Sequence, residues 1–596
     1  MLLWAGAMAA ALAGSGSADD AHYRFDIARS KGAIYNPWTQ GDDPVVLRSF
    51  RGSGANEGDF IAPTIRVAPG QRLTIDLNNR LERCSEKQRS EHLCFNDTNL
   101  HTHGLWVSPA GNSDNVLISI KPGEQFRYQY EIPADHPAGT FWYHPHNHGS
   151  GFVQVGSGMA GALVVTGSRR PTMTSPGDID ILLKDARGKP FPERVMIFQQ
   201  IQYGCLDGKG MIEGKMEKDE YVRPWTCAPG KVGAIESPDH DWDWINSGRF
   251  TGINGKVQPA LTTASAGTFE RWRLIHAGTR ERIRMRLYRL DANAPDLRAV
   301  KGADQENWIK AHCRGPALRM WQIALDGLTR SDVRPVEEAV LFPGERMDVL
   351  ARLPDAGRYC LVQDATRDAS KPLPLRALAV IAAEGRASTN VDATAELQEN
   401  MVRAAERSLR DAGSAAIRNK VVSDLRGGLK LASFTPHRAI AEEEITGYRE
   451  AIVNIVETPK AAFFQINGRA YDHGRIDHVL PLGKAEEWRA ISLLGNHPLH
   501  IHVNPFQIIS VRDSHDRDVF DPASPAYDPD YAGLKGEWKD TVMLKQDLRV
   551  AVRTRYERFT GDFVTHCHIM FHGDHGMMQN LRIAAEGDAQ ATHAGH

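Results

Sequence analysis

The stretch His-Cys-His-Ile-Met-Phe-His-Gly-Asp-His-Gly-Met at residues 566–577 brings three kinds of metal-binding side chain together in one short segment. Cys567 stands between His566 and His568. Because alternate side chains of a β-strand share a face, the two histidines point to one side of the strand and Cys567 points to the other. The stretch therefore predicts two metal sites, back to back and joined by only a few covalent bonds.

The cysteine side of this strand can gather a complete ligand set. His572 and Met577 follow Cys567 in the same stretch, and His497 precedes it in an earlier segment. Two imidazoles, a thiolate and a weak axial thioether are the ligands of a blue-copper electron-transfer site. Zinc also accepts cysteine and histidine, but it is redox-inert and leaves the flanking histidines unexplained.

The histidine side belongs to a larger pattern of four His-x-His segments. They are His101-Thr102-His103, His144-Pro145-His146, His500-Ile501-His502 and His566-Cys567-His568. Each pair presents two imidazoles on one face of a strand, and four pairs can surround a cluster of metal ions. Electrons collected singly at the cysteine could accumulate in this cluster, where four of them reduce dioxygen to water.

Two sets of glycine markers divide the chain into three repeats. Each marker opens an alternating or apolar strand, at Gly70, Gly267 and Gly483 for the first set and at Gly139, Gly357 and Gly561 for the second. Both sets recur with a period of about two hundred residues, which predicts three homologous domains. We place them at 22–170, 171–386 and 441–586. The positions of the middle repeat that correspond to a histidine pair, Val362 and Asp364, have lost the ligands.

The sequence pattern within the repeats is typical of antiparallel β-sandwiches. Short β-prone runs alternate with Pro-Gly turns, as at 121–124 and 342–345. Between the second and third repeats, apolar residues recur every four positions from Asp392 to Ala412, which predicts an amphipathic helix. We assign residues 387–440 to a linker that contains this helix.

Charge and hydropathy exclude some classes of protein. The chain has 596 residues and a formal net charge of −3, which gives no support for a nucleic-acid partner. It has no run of about 20 apolar residues, so we expect no transmembrane segment. Residues 1–21 form a short apolar run that ends in small residues, as in a signal segment, and residues 587–596 are expected to be a tail.

The seven cysteines indicate an exported protein. Nearest-neighbour pairing predicts the disulfides Cys84–Cys94, Cys205–Cys227 and Cys313–Cys360. Other pairings remain open, since six cysteines allow 15 of them. Disulfides belong to oxidising compartments, so we expect a periplasmic or secreted protein, with Cys567 left for a metal.

The combined motifs resemble those of three-domain multicopper oxidases of the laccase type. The motifs are His-Thr-His-Gly at 101, Trp-Tyr-His-Pro-His at 142, His-Pro-Leu-His-Ile-His at 497 and the stretch at 566–577. The resemblance spans all three repeats, from about Asp42 to about Arg582. It implies an all-β chain of three tandem cupredoxin-like Greek-key β-sandwich domains, with a helical linker before the third.

The resemblance also implies four copper ions held by twelve residues. The type 1 copper would be bound by His497, Cys567, His572 and the axial Met577, and the single type 2 copper by His101 and His500. The type 3 pair would be bound by His103, His144, His146, His502, His566 and His568. The trinuclear cluster would then lie between the first and third domains.

Two carboxylates resemble the proton-relay residues of the family. Asp114 lies downstream of the first histidine pair, and Asp574 lies in the type 1 loop. Bacterial relatives often place an acidic residue directly after the second type 1 histidine, where this chain has Gly573. Thr102 stands where many relatives have tryptophan. A buried site that reduces dioxygen needs a proton donor nearby, so both carboxylates are candidates.

Three functional hypotheses follow. The first is an oxidase that takes single electrons from phenols or aromatic amines and passes them to dioxygen, with either His497 or His572 contacting the substrate. The second is a cuprous or ferrous ion oxidase; its cuprous form would favour a methionine-rich tract, and the 15 methionines form none. The third is a copper-binding protein without activity. Because both halves of the cluster lie on one chain, we expect a monomer.

Overall fold

The computed structural model consists mainly of consecutive β-sheets joined by turns, loops and a few helices. The structure describes residues 20–90, 94–217, 220–222, 226–237, 244, 247–262, 265–365, 373–385, 392–410, 415–458 and 462–585. The expected signal segment, 1–21, lies almost entirely outside these residues, and the expected tail, 587–596, lies entirely outside them. No helix within the described ranges has the length and apolar character needed to cross a membrane.

The strands are numbered in chain order. They are β1 (Ala21–Asn36), β2 (Gly41–Arg51), β3 (Ile65–Val67), β4 (Arg72–Asn79), β5 (His101–His103), β6 (Gln125–Glu131), β7 (Gly139–His144), β8 (Gly161–Val165), β9 (Glu193–Gln199), β10 (Gly204–Cys205), β11 (Lys215–Glu217), β12 (Glu220–Val222), β13 (Gly233–Ala234), β14 (Gly252–Ile253), β15 (Lys256–Val257), β16 (Ala260–Thr262), β17 (Phe269–His276), β18 (Ile283–Leu290), β19 (Cys313–Arg314), β20 (Met320–Leu325), β21 (Leu328–Val336), β22 (Ala339–Leu341), β23 (Arg346–Arg352), β24 (Gly357–Gln363), β25 (Arg376–Ala383), β26 (Ile445–Glu457), β27 (Ala462–Ile466), β28 (His478–Pro481), β29 (Ala485–Ser492), β30 (His497–Ile501), β31 (Phe506–Arg512), β32 (Trp538–Lys539), β33 (Thr541–Leu544), β34 (Arg549–Arg555), β35 (Gly561–Cys567) and β36 (Met578–Ala584).

The helices are few and mostly short. They are α1 (Glu86–Ser90), α2 (Gly151–Gly156), α3 (Gln305–His312), α4 (Ala393–Ser408), α5 (Ala415–Arg426) and α6 (Met570–Asp574). Turns of 3₁₀ helix occupy Ile179–Ile181, Leu297–Ala299, Gly302–Asp304, Glu442–Glu444 and Pro529–Tyr531.

The first sandwich packs a six-stranded sheet, in the order β10-β13-β2-β1-β4-β6, against a four-stranded sheet, in the order β3-β8-β7-β5. Strand β4 shows why these segments form a sandwich, because Leu73, Ile75 and Leu77 are buried while the residues between them are more exposed. The edge strands β10 and β13 come from the range that the repeats assign to the second domain. The boundary at residue 170 therefore stays a prediction.

The second and third sandwiches repeat this plan. The second joins the order β15-β14-β9-β17-β23-β20-β21 to β16-β25-β24-β18-β19, and the third joins β27-β26-β29-β34-β31-β32 to β28-β36-β35-β30-β33. Each encloses its own core of buried apolar side chains. The prediction of three cupredoxin-like β-sandwich domains is confirmed.

The linker before the third sandwich is helical, as expected. Helix α4 begins after Asp392, whose carboxylate accepts hydrogen bonds from the backbone N–H groups of the first turn. Its residues Leu397, Met401 and Ala405 are buried against the second sandwich. A second helix, α5, was not predicted, although Ile417, Val421 and Leu425 show the same spacing of four and are buried beside α4.

The six cysteines expected to pair form three disulfides. The bonds are Cys84–Cys94, Cys205–Cys227 and Cys313–Cys360, so the predicted connectivity is confirmed. Cys567 is free and fully buried.

Candidate metal centre

The four histidine pairs lie on, or directly after, the strands of two antiparallel pairs that face each other. In the first sandwich β5 pairs with β7, which places His101 opposite His144. In the third sandwich β30 pairs with β35, which places His500 opposite His566. The ring of His103 stacks on that of His500, with 3.8 Å between the ring centroids. The predicted pairs therefore meet where the first sandwich contacts the third.

Several ring nitrogens in this cluster are spaced like ligands of a shared ion. Nε2 of His566 lies 3.0 Å from Nε2 of His146 and 3.2 Å from Nε2 of His502. Nε2 of His568 lies 3.2 Å from Nδ1 of His103. Nitrogen ligands lie about 2.0 Å from a metal ion, so two ligands of one ion are separated by roughly these distances.

Other buried ring nitrogens in the cluster lack a hydrogen-bond partner among the described residues. They are His101 Nε2, His144 Nε2, His500 Nε2, His502 Nδ1 and His568 Nδ1. An unpaired buried nitrogen costs about 1–3 kcal/mol, and native proteins leave few of them. Bound copper ions would satisfy Nε2 of His101, His144 and His500, so the donor set fits the metal.

Burial keeps the cluster in the form that binds metals. It lowers the pKa of His144 and of His566 to about 3. Burial, reinforced by neighbouring histidines, also lowers the pKa values of His101, His103 and His568 well below their usual range. These imidazoles are neutral at physiological pH, as metal coordination requires.

A second group of ligand atoms lies on the opposite face of β35. Nδ1 of His497 and Nδ1 of His572 are 3.1 Å apart, and Sγ of Cys567 lies 3.5 Å and 3.7 Å from them, respectively. The fourth predicted ligand, Met577, is fully buried, and its backbone is hydrogen-bonded to both Cys567 and His572. The alternation of the strand thus separates the cysteine site from the histidine cluster as the sequence predicts.

The two imidazoles of the cysteine site differ in their access to solvent. His497 is 1% exposed, and its Nε2 lies 2.8 Å from the carbonyl oxygen of Leu494. His572 is 8% exposed, with its ring stacked on Phe464. Leu493 and Leu494 leave about half of their apolar surface open beside this site. Both imidazoles are thus buried, and His572 has the slightly larger exposed fraction.

Asp114 lies behind the first histidine pair. One of its carboxylate oxygens is 3.0 Å from Nδ1 of His101, and the other accepts hydrogen bonds from the backbone N–H and the hydroxyl of Thr102. Burial raises its pKa to about 7, although the hydrogen bonds from Thr102 oppose the shift. Asp114 thus orients His101 and leaves Nε2 of that ring free to face the cluster.

Asp574 lies beside the cluster and at the start of α2. Its carboxylate accepts hydrogen bonds from the backbone N–H groups of Gly149 and Phe152, at 3.0 Å and 2.7 Å. It lines a cavity of about 20 Å³ together with His146 and His566, which is room for one water molecule. Burial raises the pKa of Asp574 to about 7.

The sequence analysis missed one buried carboxylate at the cluster. Oδ1 of Asp540 lies 3.2 Å from Nε2 of His103, and both carboxylate oxygens are bound by Arg346 of the middle sandwich. Burial acts to raise the pKa of Asp540, but the charge and hydrogen bonds of Arg346 outweigh it and hold the pKa well below its usual range. The Lys539-Asp540 pair directly before the mostly apolar strand β33 was a usable signal, because such residues are buried only when paired. Its partner could not be identified from local sequence.

Comparison with known proteins gives matches along most of the chain. Two family profiles, both described as multicopper oxidase, match residues 51–170 and 445–587. The multicopper oxidase mco of Staphylococcus aureus is 21% identical over 543 residues, which cover 90% of this chain and 85% of that protein.

Solved structures share the fold. A multicopper oxidase from Campylobacter jejuni, described as a metallo-oxidase, has a TM-score of 0.59 at 21% identity and covers 96% of this chain and 93% of its own. A bacterial laccase-like multicopper oxidase, CueO from Ochrobactrum sp., has a TM-score of 0.59 at 18% identity. The match covers 94% of this chain and 97% of that chain.

Proposed function

Because the chain belongs to the multicopper oxidases, as a three-domain laccase-like member, we propose that it oxidises phenolic or aromatic reductants and reduces dioxygen to water. Four reductant molecules each lose one electron, and one O₂ takes up four electrons and four protons to give two H₂O. Bound copper ions would supply the redox chemistry, accepting electrons singly at the cysteine site and delivering them to dioxygen at the cluster.

One observation carries this proposal. Sγ of Cys567 belongs to the group with His497 and His572, while the rings of its sequence neighbours His566 and His568 belong to the cluster. The side chains and backbone of three consecutive residues thus form a covalent path between the two groups. A redox-inert metal would have no use for such a path.

We assign four copper ions to the two groups. His497, Cys567, His572 and Met577 would hold the type 1 ion, and His101 and His500 the type 2 ion. His103, His144, His146, His502, His566 and His568 would hold the type 3 pair. The ligand atoms of His146, His502 and His566 lie together, as expected of ligands of one type 3 ion, and those of His101 and His500 lie together with His502.

The reductant would reach the protein at His572. His572 is 8% exposed, and the exposed apolar side chains of Leu493 and Leu494, the latter in contact with His497 of the same site, suit a flat aromatic molecule held by weak contacts. Steady-state oxygen uptake with a phenol, with Cu(I) and with Fe(II) tests the substrate class. We expect the highest kcat/KM for the phenol.

Leu494→Asp sharpens this test. Loss of the apolar contact should raise KM for the phenol by roughly threefold to tenfold, because a tenfold change corresponds to about 1.4 kcal/mol. Met173→Asp, at an exposed apolar residue in the segment after β8, is the control and should leave KM unchanged. Faster oxidation of Fe(II) or Cu(I) by Leu494→Asp, with no change for the phenol, would favour the alternative.

That alternative is a cuprous or ferrous ion oxidase. The Campylobacter jejuni structure, described as a metallo-oxidase, has the same fold. An ion substrate would need thioether or carboxylate ligands beside the cysteine site, whereas Leu494, which contacts His497, presents apolar surface there. The aromatic reductant is therefore the substrate class that we propose.

We further propose that Asp574 delivers protons and that Asp114 positions His101. Asp574 shares a water-sized cavity with His146 and His566, whereas Asp114 is engaged with His101 and Thr102. A carboxylate beside a water molecule can pass protons from the protein surface to the reduced oxygen.

Asp574→Asn should slow reoxidation of the reduced protein by air about 100-fold while leaving the blue colour and its reduction rate unchanged. Stopped-flow absorbance separates the two half-reactions. Asp562→Asn, which breaks a surface ion pair with Arg582, serves as the control. Reoxidation of Asp574→Asn at the wild-type rate would rule out this role.

The cellular location and the oligomeric state of the protein are also part of the proposal. Three disulfides are typical of oxidising compartments, which supports a periplasmic or secreted protein. Both halves of the cluster come from one chain, which supports a monomer.

A further inference from the structure

The middle sandwich carries no histidine pair, yet one of its side chains reaches the edge of the cluster. Arg346 begins β23 and is fully buried. Its Nη1 donates to Oδ1 of Asp540 at 2.8 Å, and its Nη2 donates to Oδ2 of the same carboxylate. Asp540 directly precedes β33 of the third sandwich. The contact is thus a bidentate ion pair between two domains.

All five N–H groups of this guanidinium have acceptors. Besides the two bonds to Asp540, Nη1 donates to the carbonyl oxygen of Gly344 at 3.0 Å and Nη2 to that of Asp326 at 2.8 Å. Nε donates to the carbonyl oxygen of Thr140 in the first sandwich at 3.4 Å. A lysine has three donors on a single nitrogen and cannot reproduce this planar arrangement.

Asp540 also contacts two histidines of the cluster, one from the first sandwich and one from the third. Oδ1 lies 3.2 Å from Nε2 of His103, and the backbone carbonyl oxygen lies 2.8 Å from Nδ1 of His500. The hydroxyl of Thr541 donates to the same Oδ1 at 2.8 Å. When Nε2 of His103 carries the proton of the ring, Nδ1 is unprotonated. The lone pair of Nδ1 then points toward His568.

The ion pair is tightly packed on the side of Gly104. Gly104 follows His103 with a φ of +87°, and a Cβ there would lie 2.2 Å from Nη2 of Arg346 and 2.6 Å from Oδ2 of Asp540. The backbone that carries His103 is therefore packed directly on the ion pair. Movement of either partner would shift the histidine.

We propose that Arg346 is a positioning residue of the copper cluster, which holds the Asp540 carboxylate in place and thereby fixes the orientation of His103 and His500. The middle domain thus acts on the cluster although it supplies none of the proposed ligands. The inference rests on the proposed copper cluster. Loss of a hydrogen-bonded partner behind a metal-binding histidine typically weakens metal binding by about 10- to 100-fold.

The test compares Arg346→Lys with Arg271→Lys. Arg271 is also fully buried in the middle sandwich and binds Asp348 through Nε and Nη2 at 2.9 Å and 2.6 Å, without contacting the histidine cluster. Both variants are purified with copper, and three properties are measured: copper content after dialysis against a chelator, the electron paramagnetic resonance spectrum, and the melting temperature.

We expect Arg346→Lys to keep the blue colour, lose cluster copper at about 10- to 100-fold lower chelator concentration and show an altered hyperfine splitting of the non-blue copper signal. Arg271→Lys should lower the melting temperature without either change. Wild-type spectra and copper retention in Arg346→Lys would overturn the inference, as would equal copper loss in both variants.

If Arg346→Lys does not fold, Asp540→Asn provides an independent test. It removes the charge that Arg346 binds and should show the same loss of copper and the same spectral change. An Asp540→Asn protein with the wild-type spectrum and copper content would also overturn the inference. Failure of the wild-type protein to bind copper would instead contradict the proposed function.

Discussion

Replacing Cys567 by serine should abolish both the blue absorption and the turnover. The blue colour requires a thiolate bound to oxidised copper, and a serine hydroxyl cannot supply one. Sγ of Cys567 is also the only atom of the cysteine site that is linked through its own residue to the neighbours His566 and His568. The variant should therefore retain cluster copper but receive no electrons from the reductant.

The visible spectrum, copper content and oxygen uptake of the purified protein measure these effects. Thr565→Ser is a matched control on the same strand, because serine keeps the hydroxyl that donates to the carbonyl oxygen of His500. This control should remain blue and active. A blue Cys567→Ser protein, or one that still turns over, would show that the assignment of the electron-accepting site is wrong.

Replacing His144 by glutamine should have the opposite effect: it should spare the blue absorption and impair the reaction with dioxygen. Nδ1 of His144 is anchored 2.9 Å from the carbonyl oxygen of Pro145, and the buried Nε2 is unpaired, so the change removes a cluster ligand and spares the cysteine site. The protein should stay blue and be bleached by a reductant, but air should not restore the colour. Oxygen uptake should fall by more than about 100-fold, since even residues behind the ligands have effects of that size.

His136→Gln is the control for this second prediction. His136 is a buried histidine of the same sandwich, whose ring accepts a hydrogen bond from the backbone N–H of Trp106 and contacts the carbonyl oxygen of Pro137. It should reoxidise at the wild-type rate. Rapid return of the blue colour in His144→Gln would remove His144 from the proposed ligand set.

Local patterns in the sequence predicted the features that depend on neighbouring residues. Strand alternation separated Cys567 from His566 and His568, and those residues do lie in two different groups. The glycine markers predicted the three sandwiches, and nearest-neighbour pairing predicted the disulfides. The spacing of four predicted α4, and the same spacing could have predicted α5.

The remaining features depend on contacts between distant parts of the chain. Arg346 and Asp540 are 194 residues apart and become partners only when two domains dock. Which nitrogen of each imidazole faces the cluster depends on acceptors such as Asp114 and the carbonyl oxygen of Pro145, which no motif encodes. The anchoring of His497 depends on the Leu494 carbonyl oxygen, which is also a backbone feature.

The position of the cluster has a consequence for how the protein matures. His103 and His568 are 465 residues apart, so a growing chain carries only half of the cluster until its third sandwich has been made. The proposed ligands His497, Cys567 and His572 all lie in that third sandwich and would take up an ion once it folds. Copper loading of the cluster should therefore follow domain docking, and the loaded ions would then hold the first and third sandwiches together.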